Sequence, residues 1–281
     1  MIRSDANIHA ANLPWKIYGV DFSGATSAGK YIWLSCCEVS ETKLLVHNCI
    51  SIENLTGCGP GRDGSIDALR QFVAAQTKSM FGFDFPFSIP AKFINAGSWT
   101  NFVLNFSEDF SSAEKFRQFC RDRSANVELK RVTDRESRVP FSPYNLRIYR
   151  QTYYGIRDLL APLMRKNNIC VLPMHKLLAD KPLILETCPA SFLKRMNRYH
   201  PYKGKAQREN QNRKQIVEFL IDEKNVQLVG NQLKSLVLEN HSGDALDSLL
   251  AACILFDLHQ YPERLYPPMK SEYFLEGYVY F

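Results

Sequence analysis

Residues 17–52, IYGVDFSGATSAGKYIWLSCCEVSETKLLVHNCISI, decide the fold. The apolar run Ile17-Tyr18-Gly19-Val20 ends at Asp21 and a turn-like Phe-Ser-Gly, the pattern of a short buried strand. Residues 31–38 and 43–52 read as two further strands. Short polar turns separate all three, so they predict a meander of antiparallel hairpins. Downstream, GCGPGRDGS (57–65) is a loop, and Asp63 or Ser65 caps a helix over IDALRQFVAAQ.

A buried strand follows at residues 80–85, holding Asp84 and ended by Pro86. Residues 88–180 are too long for a simple connection. They contain helical patterns near 112–122 and 147–166 with the proline-punctuated RVPFSPYN (138–145) between them, and they predict a helical insertion after the fourth strand. Residues 183–187 form a short strand holding Glu186, stopped by Pro189, and helices near 207–222 and 243–258 complete the chain. Strands in hairpins, then strands alternating with helices, imply an α/β fold. A mixed sheet is flanked by helices, in one domain spanning 1–281 with 88–180 inserted.

Of the 281 residues, 45% are hydrophobic and 23% charged, which supports a sizeable core and argues against bulk disorder. No apolar run is long enough to span a membrane, and the N-terminal MIRSDANIHAANLP lacks the apolar region of a secretory signal, so a cytoplasmic protein is expected. The eight cysteines form no CxxC pair and no zinc spacing, and read as reduced, mostly buried thiols. The net charge of +6 is unevenly spread. Between Ser191 and Gln215 lie eight Lys/Arg, among them Lys194, Arg195, Lys203 and Lys205, against the single acid Glu209. Tyr199, His200 and Tyr202 lie among these cations. Such a stretch suits phosphates and bases, or is simply a solvated surface.

The acids carry the chemistry. Asp21, Asp84 and Glu186 each stand alone in an otherwise apolar strand, and Asp244 and Asp247 open the helix GDALDSLLAACIL. An ionised carboxylate buried without a partner is costly, and a divalent cation taking oxygen ligands is an efficient compensation. Asp244 and Asp247 are three residues apart and share a helix face, leaving Leu246, Leu249, Leu250 and Cys253 as an apolar stripe on another. Each acid also has a plainer reading. Asp244 suits a helix N-terminus, Asp84 a turn before Pro86, Glu186 a pair with a buried arginine, and Asp21 an Asx-turn. All of these would have to hold together.

The motifs GVDFSGA, FDFPFSIP, LETCPASF and SGDALDSLLAA, with the ending EGYVYF, resemble a domain-of-unknown-function family of predicted nucleases with a ribonuclease-H-like fold. The resemblance implies a five-stranded mixed sheet whose first three strands are the meander. It also implies an acid on the first strand (Asp21), one at the fourth (Asp84) and one or two on the last helix (Asp244, Asp247), with Glu186 as a supporting metal ligand. The expected cofactor is Mg²⁺ or Mn²⁺ in a two-ion site bridged by Asp21. The expected partner is DNA or RNA, held by Arg131, Arg138, Lys194, Arg195, Lys203 and Lys205. The alternatives are a non-catalytic binding module on the same fold and an actin-like phosphotransferase. The latter would need a second, duplicated sheet, and the only glycine cluster lacks the Lys-Ser/Thr of a phosphate loop.

Overall fold

A computed structural model describes residues 13–178 and 180–281. The N-terminal segment read above lies almost entirely outside them. The first three strands are β1 (Lys16–Asp21), β2 (Trp33–Ser40) and β3 (Lys43–Ser51), joined as the antiparallel meander the sequence predicts. Strand β4 (Ser79–Phe83) runs parallel to β1, and β6 (Leu183–Thr187) runs parallel to β4. Three short strands were not legible: β5 (Cys170–Val171), β7 (Val226–Leu228) and β8 (Val279–Tyr280). The sheet therefore has eight strands among the described residues rather than five. Its order is β5-β6-β4-β1-β2-β3-β7. β8 shares the free edge of β6 with β5, pairing with Glu186 and Thr187 where β5 pairs with Leu183 and Ile184.

The longer helices are α1 (Arg62–Ala75), α2 (Trp99–Asp109), α3 (Ala113–Arg123), α4 (Tyr149–Tyr154), α5 (Pro189–Arg195), α6 (Gln207–Glu223), α7 (Gln232–Glu239) and α8 (Asp244–Gln260). α1 begins earlier than predicted, behind Gly61, and Ser65 instead donates its hydroxyl to the Gly61 carbonyl at 2.6 Å. α2 was not expected. α4 continues through a wider turn, Gly155–Leu160, into Ala161–Arg165.

Alternation along the strands assigns the two faces. Tyr18, Val20, Phe81, Phe83 and Ile184 pack under α1 and the insertion. Ile17, Met80, Leu183 and Leu185 pack under α8, α5 and α6. Gly19 and Gly82 are register partners on this second face. A Cβ on Gly19 would lie 1.9 Å from the Ser248 carbonyl oxygen, and one on Gly82 would lie 3.2 Å from that of Ala251. Two missing side chains thus let α8 lie against the strand backbones. On its other sides α8 is covered by α5 and α7, so it is buried nearly all round instead of presenting one apolar stripe. Among the described residues no helix is long and apolar enough to cross a membrane.

Candidate metal centre

The parallel strands β1, β4 and β6 all finish at the same sheet edge, and the acids sit there. Asp21 is the last residue of β1, and Asp84 immediately follows β4, its amide donating to the Val20 carbonyl at 3.0 Å. Both continue the face of Gly19 and Gly82, the one covered by α8. That helix begins behind Gly243, whose backbone is left-handed (φ 85°), and its first turn closes with the Asp247 amide bonding to the Gly243 carbonyl at 2.9 Å. The close approach of α8 to β1 brings Asp247 over the strand ends. One carboxylate oxygen each from Asp21, Asp84 and Asp247 lie within 4.8 Å of one another.

Three acids in so small a space repel. Burial, followed by the Asp247 charge, holds the Asp21 carboxyl well above its ordinary range. Burial and Asp247 push Asp84 up to about 8. One counter-charge is built in: the Lys203 ammonium lies 2.6 Å from Asp247 Oδ2. The Tyr202 hydroxyl donates to Asp247 Oδ1. Burial of the phenol, followed by the Asp247 charge, holds Tyr202 in its neutral form, a donor. The pair Tyr202-Lys203 is fixed by Arg213, whose guanidinium donates to the carbonyls of Tyr202 and, at 2.9 Å, of Gly204. Gly243 also makes room here, since a Cβ would meet Lys203 Cγ at 2.9 Å. Among the described residues no backbone amide, hydroxyl or guanidinium donates to the carboxylates of Asp21 or Asp84. Asp244 lies at the rim beside Asp21, with which its carboxyl is hydrogen-bonded, and accepts from the Ser242 hydroxyl at 2.7 Å.

The other predicted residues fall elsewhere. Glu186 does not join the acids. It sits one residue out of phase with the α8-facing positions of β6 and points to the opposite face. There it accepts from Arg131 Nη1 and from the Phe87 amide, each at 2.9 Å, and also from Arg131 Nη2. Arg131 is fully buried and also grips Asp134 through Nη2 at 2.6 Å, so it is unavailable to a substrate. Arg195 pairs with Asp257 at 3.4 Å, ten residues beyond Asp247 on α8 and away from the acids. Lys194 donates to the Arg138 carbonyl at 2.8 Å, while Arg138 and Lys205 are exposed. Lys203, expected to hold a phosphate, is the counter-ion of Asp247.

A cavity of about 410 Å³ opens beside the three acids. Its walls include Arg147, Phe141, Thr187 and Tyr199. No reading of spacing singled out Phe141, Arg147 or Thr187, which come from the insertion and from β6. The chain matches no family model, no curated protein and no solved structure.

Proposed function

We propose that this chain is a Mg²⁺- or Mn²⁺-dependent nuclease with a ribonuclease-H-like core, hydrolysing phosphodiester bonds at Asp21, Asp84 and Asp247. One observation carries the reading: carboxylate oxygens from three chain-distant segments converge within 4.8 Å. A donor set made of carboxylate oxygens, with no sulfur or imidazole, suits these hard cations. A meander followed by parallel strands, with acids on the first strand, after the fourth and on the last long helix, is the arrangement the family resemblance implies.

Asp21, Asp84 and Asp247 would hold the cation, which when bound acidifies a water and stabilises a leaving oxygen. Asp21 has carboxylate neighbours on either side, the position of a shared ligand. Lys203 offsets one of the three negative charges, leaving about the charge of a single divalent ion; Asp244 is the nearest further carboxylate for a second. Arg138, Lys194 and Lys205 supply charge for a phosphate backbone.

Titration calorimetry with Mn²⁺, paired with cleavage of single-stranded, duplex and branched nucleic acids, tests this. Asp21→Asn is expected to lose both Mn²⁺ binding and cleavage while its circular dichroism stays unchanged. Full activity in that variant discards the assignment. The non-catalytic binding module has one observation in its favour, the Lys203–Asp247 ion pair, which provides a protein counter-charge where an ion would sit. Mn²⁺ binding that depends on the carboxylates, without cleavage of any substrate in the panel, would select that reading. The actin-like alternative would need a second, duplicated sheet, and the strands among the described residues form one sheet.

A further inference from the structure

Building on the reading of the acids as a phosphodiester-cleaving site, we propose that the adjoining cavity is a subsite for one unpaired nucleotide. Its base lies against Phe141 and Tyr199, and its phosphate reaches Asp21, Asp84 and Asp247 through their cation.

Size comes first. Taken as a sphere, 410 Å³ is about 9 Å across, narrower than the ~12 Å major groove of a duplex alone. It falls within the ~300–1,000 Å³ typical of small-ligand sites. The volume suits one nucleotide better than a base-paired segment. The chemistry of the walls comes second. Phe141 and Tyr199 offer flat apolar faces, and Tyr199, 45% exposed, has ring surface free to stack on a base. Each ring has a cation beside it. The Arg147 guanidinium lies 5.3 Å from the centre of Phe141, and the Lys194 ammonium 5.3 Å from that of Tyr199. Rings flanked by cations suit a flat heterocycle carrying a phosphate. Substrates would then be single strands, loops and ends, or a nucleotide turned out of a duplex.

The test uses an oligonucleotide with one 2-aminopurine, single-stranded or fully paired, titrated with the intact protein in Ca²⁺. The single strand is expected to bind with quenching of the fluorescent base, and the duplex to bind more weakly without it. Phe141→Ala and Tyr199→Ala should each weaken single-strand binding by about fivefold to a hundredfold, the range for one base–aromatic stack. Phe141→Trp should retain it. Because Tyr199 is partly exposed, its variant reports on the subsite even if the Phe141 variant unfolds. Unchanged affinity in Tyr199→Ala, or equal binding of the duplex, overturns the proposal. Mn²⁺ calorimetry on the same proteins separates the two readings. Normal Mn²⁺ binding with no base quenching sinks the subsite alone. Base quenching in a protein that binds no Mn²⁺ supports the subsite and sinks the metal centre.

Discussion

Two groups of acids stand back to back at one sheet edge, and they are balanced in opposite ways. On the insertion side, Glu186 and Asp134 share the buried guanidinium of Arg131, and every carboxylate oxygen of the pair has a donor. On the α8 side, Asp21, Asp84 and Asp247 face one another with Lys203 as their one close cation among the described residues. Burial alone therefore does not mark a metal centre. The first group is complete within the protein and can act as a rivet between insertion, sheet and C-terminal tail. The second has more carboxylates than its one lysine offsets, and without a further cation the raised Asp21 and Asp84 carboxyls are balanced by holding protons.

The largest effect that would sharpen this contrast is on the complete cluster. Arg131→Met leaves two buried carboxylates without their counter-charge and should cost about 3–5 kcal/mol. Asp21→Asn relieves repulsion and should leave stability in the absence of metal unchanged or raised. Urea unfolding of both proteins without divalent ions measures the difference. A destabilisation by Asp21→Asn as large as that by Arg131→Met would erase the distinction between the groups.

Next in size is the helix approach that assembles the open cluster. Gly19→Ala puts a methyl group into the backbone of α8 at Ser248 and Ala252, so the helix must move. A cost of about 1–3 kcal/mol is expected, with weaker Mn²⁺ binding as Asp247 leaves Asp21. A Gly19→Ala protein that binds Mn²⁺ normally would show that the glycine pair serves packing alone.

A smaller effect is expected from pH. The Asp84 carboxyl is pushed up to about 8 and that of Asp21 is raised as well, by burial first and then by neighbouring acids. Between the ordinary carboxylate range, ~4, and pH 8 the folded state binds more protons than the unfolded chain. Stability from these groups is therefore complete at low pH and is lost as pH rises through that window. Without metal, the melting temperature should fall from about pH 5 to about pH 8.5. Saturating Mn²⁺ should flatten the decline, because the ion favours the charged carboxylates and its binding releases protons. Parallel curves with and without Mn²⁺ would argue that no ion binds there.

Much of this was written plainly in the chain. The meander, β4, β6 and the final helix follow from apolar runs and turn residues, and the convergence of Asp21, Asp84 and Asp247 follows from strand ends at one edge. The faces were not legible. In IYGVD, MFGFDF and LILET both sides of the strand are apolar, so alternation that would separate Glu186 from Asp21 is invisible until register is known. The two-residue strands β5 and β8 carry no period at all. Lys203, one of eight cations in its stretch, was read as a phosphate contact, because a counter-ion and a phosphate contact look alike in composition.

Glu186 gives the finest test, since the prediction is no change. Glu186→Gln keeps the shape and a carbonyl acceptor for Arg131 but removes one charge from the complete cluster. Mn²⁺ affinity should equal that of the unaltered protein, while stability falls, since the buried guanidinium loses one of its two carboxylates. Calorimetry and urea unfolding on one preparation give both values. Lost Mn²⁺ affinity in a folded Glu186→Gln protein would mean that the two faces of the edge communicate. Glu186 would then act on the metal centre as a positioning residue, through Phe87 and the Asp84–Phe85 turn.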